Sequence, residues 1–65
     1  MGMLIAILLW LQCITAYNTY TTHQIDAYAA ANTQVINAIY NSPPASADIW
    51  EIYGPVVPTV DVIDP

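Results

Sequence analysis

The first stretch of the chain shows no alternation of apolar and polar positions: Met1–Tyr17 carries no charged side chain. As a helix rising 1.5 Å per residue, this run reaches about 25 Å. That is slightly short of a bilayer core about 30 Å thick, and the uncharged Asn18, Thr19 and Tyr20 can extend it. The pattern predicts a transmembrane helix over 1–20. Leu4, Ile7, Leu8 and Leu11 would face lipid or neighbouring helices, and Tyr17 and Tyr20 would sit at the interface, where a ring with a wet hydroxyl is favoured. Trp10 falls mid-run and cannot be such an anchor. A cleaved signal peptide is the strongest competitor, with Ile14-Thr15-Ala16 offering a small residue, but the basic n-region is absent. A lipoprotein signal would use Cys13, yet bulky Leu11 and Gln12 precede it. A helix buried in a protein assembly shows the same pattern, and periodicity does not separate it from a span.

Periodicity appears after residue 20. Ile25, Tyr28, Asn32, Val35, Ile36, Ile39 and Tyr40 recur at helical spacing and form one face. Ala27, Ala29, Ala30 and Ala31 favour helix. An amphipathic helix over 21–41 is expected, continuing the first, with a weak point or kink in the Thr19–Thr22 stretch. Asn32 lies within the stripe, either at its edge or as a register-setting polar contact. Tyr28, Ile36 and Tyr40 are the expected external contact residues.

Asn41-Ser42-Pro43-Pro44 ends that helix, because proline lacks a donor and disfavours helix before it. Ser46 can cap a short helix over 46–53, with Asp48 and Glu51 near its positive end. Gly54-Pro55 would stop it. Trp50 and Tyr53 make this helix greasy and are the expected interface anchor. The last residues mix β-branched side chains with Pro55, Pro58 and Pro65 and with Asp61 and Asp64. They read as an extended acidic tail that lies on a partner or adds to a sheet edge. The fold expected is all-α: one transmembrane helix over 1–20, an amphipathic extension over 21–41, and a tail over 42–65 containing the short helix.

Composition narrows the function. The chain has 65 residues, five acids, no Lys or Arg and a formal net charge of −5. Nucleic-acid binding needs cations to displace counterions from phosphates, so no nucleic-acid partner is expected. Hydrophobic residues make up 57% of the chain, more than disordered chains carry. A soluble core of this size rarely supplies more than about 3–5 kcal/mol without staples. One Cys rules out an internal disulfide, and one His with one Cys cannot build a zinc site alone. Burial in lipid, against a partner or between copies is therefore expected.

Chemistry has few candidates. His23 could in principle ligate a metal centre, but it lies in a Thr/Gln-rich stretch near Asp26 and reads as a solvated or interface residue. Cys13 reads as a small buried hydrophobe. No nucleophile–base spacing, paired acids or Gly-rich phosphate loop is present. No enzyme activity, cofactor or metal is expected.

The function these features suggest is a small single-pass accessory subunit of a larger membrane complex, in the manner of respiratory or photosynthetic electron-transfer assemblies. Its partners would be integral subunits and the lipid bilayer. A membrane potential acts on charge by about 2.3 kcal/mol per 100 mV, which would draw the acidic tail outward. The N-terminus is thus expected on the cytoplasmic side and the tail on the periplasmic or lumenal side. The alternative is a self-assembling subunit of an extracellular filament or capsid, a homo-oligomer whose lack of Lys and Arg denies trypsin-like proteases a site.

Overall fold

The apolar run folds into a short central helix, and the rest of the chain wraps around it. The computed structural model describes residues 2–64. In chain order these form α1 (Gly2–Trp10), β1 (Thr19–Thr21), α2 (Thr22–Ala31), α3 (Thr33–Tyr40), α4 (Pro43–Tyr53), a 3-10 helix (Gly54–Thr59) and β2 (Asp61–Ile63). Five consecutive residues of α1, Ile5 to Leu9, are buried. A helix that is apolar on every side must be covered on every side. Here the covering comes from α2, α4 and the 3-10 helix. Ile14, Ile25, Ile36, Ile39, Ile49 and Val60 complete the core. The Cα radius of gyration is 11.1 Å, close to the value of about 10.7 Å for a compact chain of this length.

α1 stops early for a local reason. The Gln12 amide donates to the Leu9 carbonyl at 3.0 Å and the Cys13 amide to the Leu8 carbonyl at 3.0 Å. Gln12 takes a left-handed conformation, φ 65°. This pair of bonds around a left-handed residue is a Schellman ending, which satisfies the last free carbonyls of a helix. The helix that results has nine residues, about 14 Å at 1.5 Å per residue.

No helix among the described residues is long and apolar enough to cross a membrane. The transmembrane helix expected over 1–20 is therefore corrected, and with it the single-pass architecture and the placement of the N-terminus and tail on opposite sides of a bilayer. Ile7 and Leu8 are fully buried in the chain's own core. Leu4 and Leu11 pack partly buried against the same core. The physical reason is the turn at Gln12, which reverses the chain before the apolar run reaches bilayer length.

The amphipathic extension is two helices rather than one. α2 starts on a capping box: the Thr21 hydroxyl accepts from the Gln24 amide at 3.0 Å, and Gln24 Oε1 accepts from the Thr21 amide at 2.8 Å. Its end is closed by side chains. Asn32 Nδ2 donates to the Tyr28 carbonyl at 2.8 Å, and the Thr33 hydroxyl donates to the Ala30 carbonyl at 3.0 Å. These side-chain donors serve carbonyls of the last turn, and the chain bends at Asn32 (φ −124°, ψ 26°) into α3. The stripe still does its structural work across the bend, because Ile25, Ile36 and Ile39 all reach the core.

The two prolines end α3 and also open α4. Pro43 takes the first helical position, where a missing amide hydrogen costs nothing. The short helix expected from Ser46 thus begins three residues earlier. Ser46 does not cap it; its hydroxyl donates to the Ile39 carbonyl at 2.6 Å and ties α4 to the end of α3. The tail is not free. Residues 54–59 turn as a 3-10 helix, and β2 pairs parallel with β1 in the register Thr19–Asp61, Tyr20–Val62 and Thr21–Ile63. Parallel pairing requires a crossover between the strands, and α2, α3, α4 and the 3-10 helix all lie within it.

Candidate functional site

Residues 11–18 carry the chain from α1 to β1 and are held at several points. The Thr15 amide donates to the Tyr20 hydroxyl oxygen at 3.0 Å. Asn18 Nδ2 donates to the Thr15 hydroxyl and to the Ala16 carbonyl. The Tyr17 amide donates to the Thr59 carbonyl at 3.1 Å, and the Asp61 amide to the Asn18 carbonyl at 3.0 Å. Tyr20 in turn meets Tyr28 edge-on, with ring centroids 6.5 Å apart. These contacts fix the loop to the 3-10 helix, to β2 and to α2.

Two residues in this loop are left-handed without being glycine: Gln12 at φ 65° and Tyr17 at φ 59°. A left-handed L-residue costs roughly 1–2 kcal/mol, and a bulky one in that region is a true outlier. Tyr17 nevertheless leaves its side chain 85% exposed. Beside it lies an open cleft of about 490 Å³ lined by Leu9, Gln12, Ile14, Thr15, Ala16, Tyr53 and Val56. The walls carry hydroxyl and amide groups and no charge. A second hollow, of about 600 Å³, is lined by the consecutive residues 30–35 at the bend between α2 and α3. Its lining contains no titratable side chain.

The expected interface residues separate on folding. Ile36 is only 6% exposed and belongs to the core. Tyr28 is half-buried against Tyr20, and Tyr53 is half-buried on the cleft wall. Tyr40 and Trp50 are exposed. Trp10 and Ile63, which lie outside the expected interface set, also stand in solvent together with Ile52, and so does Tyr17, expected instead at a membrane interface. Trp10, mid-run in the expected span, is the last residue of α1, next to the turn. No pattern in the sequence marks the left-handed backbone of Tyr17, whose amide is tied to the distant Thr59 carbonyl.

The chemical side chains do not gather. Among the described residues no group of three or more His, Cys, Asp and Glu is placed to share a metal ion. Cys13 Sγ accepts from Asn32 Nδ2 at 3.5 Å, and His23 is exposed on α2. The chain matches no protein-family model, no curated protein and no solved structure.

Proposed function

We propose that this chain is a small non-catalytic docking subunit that attaches to a different protein in a larger assembly. The observation that carries the reading is the set of large apolar side chains left in solvent around a core that is already complete. Tyr17, Ile52 and Trp50 are 85%, 65% and 46% exposed. Aromatic residues of this kind dominate binding energy once a partner covers them. Tyr17 adds that its exposed ring is kept on a strained backbone, and such strain clusters at functional sites.

The partner is a different protein rather than another copy. Two copies would bring −5 against −5 with no Lys or Arg on either side to pair the acids. Like charges facing one another across a contact are costly. The filament or shell reading therefore has only apolar contact to rely on.

The test is gentle isolation of the native protein, followed by size separation and mass spectrometry. A fixed ratio with an unrelated polypeptide is the expected result, and Trp50→Ala should loosen that association while the fold persists. A solitary monomer would end the docking reading. Large particles of this chain alone would replace it with self-assembly.

A further inference from the structure

We infer that residues 54–63 form a strap, tensioned by Tyr17, that lifts off α1 as one unit while α1 to α4 stay folded. One flank of the apolar helix is then exposed only while the strap is open. The inference goes beyond the docking reading and does not depend on it. The 3-10 helix packs on α1, and β2 carries the segment on to β1. Its hold on the core is slight. Among these described residues Val60 alone is buried, against five consecutive residues in α1. Six residues are long for a 3-10 helix, whose hydrogen bonds are poorly aligned. Pro55 and Pro58 have no amide hydrogen to donate. β2 adds three residues of pairing with β1, and a two-stranded sheet is marginal by itself. Segments with few buried contacts are the ones that open first.

The second observation is strain on the other side of the contact. Tyr17 is left-handed at φ 59°, an outlier for a bulky residue. Its side chain is 85% exposed, so packing of the ring does not hold it there. Two backbone bonds tie residues 17 and 18 to the strap. The Tyr17 amide donates to the Thr59 carbonyl at 3.1 Å, and the Asp61 amide donates to the Asn18 carbonyl at 3.0 Å. Lifting the strap breaks both bonds and lets Tyr17 relax, which lowers the free energy of the open state. Strain of this kind clusters at switch regions.

Two features set where the strap bends. It leaves α4 at Gly54, where an added methyl group would stand 2.9 Å from Trp50 Cε2 and 3.1 Å from Cδ2. The root is thus pinned against the indole, and the part beyond it is free to lift. Packing is already incomplete just past this root. The cleft of about 490 Å³ is lined by Leu9 and Ile14 together with Tyr53 and Val56, so a gap lies where the first turn of the strap meets the end of α1.

The test is native-state hydrogen exchange of the full chain in rising, sub-denaturing urea. The Tyr17, Val60 and Asp61 amides, all bonded in the closed strap, should exchange through one opening with one urea slope, which reports the surface uncovered. They should do so well before the amides of Ile7, Leu8 and Leu9. Ile36→Val, on α3, should speed exchange of those α1 amides about fivefold and leave the strap amides unchanged. Tyr17→Gly should slow exchange at Val60 and Asp61 about threefold, because glycine takes the left-handed region without strain. Tyr17→Ala keeps the strain and should not slow it. Strap amides that exchange only together with α1, or that respond to Ile36→Val as α1 does, would overturn the proposal by showing one cooperative fold. Exchange without a urea slope would overturn it too, as the mark of bonds that fray singly. Equal behaviour of Tyr17→Gly and Tyr17→Ala would show that Tyr17 puts no tension on the strap, and the proposal would fall.

Discussion

Leu8→Ala tests whether α1 is the centre of the fold. Leu8 is fully buried, midway along a helix covered by α2, α4 and the 3-10 helix. Truncating such a leucine removes its transfer free energy and leaves a cavity that neighbours fill only in part; the combined cost is about 2–5 kcal/mol. A chain of this length, at about 0.05–0.15 kcal/mol per residue, has a total stability of roughly 3–10 kcal/mol. One substitution should therefore remove a large share of it. With about 4–8 °C per kcal/mol for a small domain, Tm should fall by at least about 10 °C. The assay is urea unfolding followed by far-ultraviolet circular dichroism and by tryptophan fluorescence. Two coincident transitions would justify two-state treatment. A loss under about 1 kcal/mol, the scale of an ordinary surface change, would refute the placement of Leu8 in the core. It would also reopen the question of what covers the apolar run.

Three further outcomes are expected. Gln12→Gly should stabilise the protein by about 0.5–1 kcal/mol, the relief of a left-handed residue less the added freedom of glycine in the unfolded chain; a lower Tm would show that the Gln12 side chain contributes more than its exposed position suggests. Gly54→Ala should cost about 1–3 kcal/mol by overpacking against the indole, and a changed Trp50 indole resonance would report that the ring has moved. An unchanged spectrum and stability would mean that the ring is not held there. Thr21→Ala should cost about 1 kcal/mol through loss of the capping box, read as a lower urea midpoint with an unaltered slope.

Much of the secondary structure was legible because it depends on local rules. The stripe through Ile25, Ile36 and Ile39 points inward as its spacing requires. Pro43 marks a helix boundary, although it opens α4 as well as closing α3. The Thr21–Gln24 pair is a capping signature, and it starts α2 where the Thr19–Thr22 stretch is expected to kink a continuous helix. The interface residues were less legible. Spacing puts Ile36 and Tyr40 on one apolar stripe, but only the packed core decides that Ile36 is covered and Tyr40 is not.

By itself, the sequence determined the absence of cations, the lack of an internal disulfide and the apolar character of α1. Those properties depend on composition and survive any fold. Tertiary structure alone decided what buries α1. A helix that is apolar on every side has no preferred direction, so lipid, a partner or its own chain could satisfy it equally. The outcome turned on a left-handed Gln12, which no propensity favours and which the Schellman bonds hold. It turned also on the pairing of β1 with β2, residues some forty positions apart. Long-range contacts of this kind bring the 3-10 helix and α4 over α1, and they are invisible to any window short enough to show periodicity.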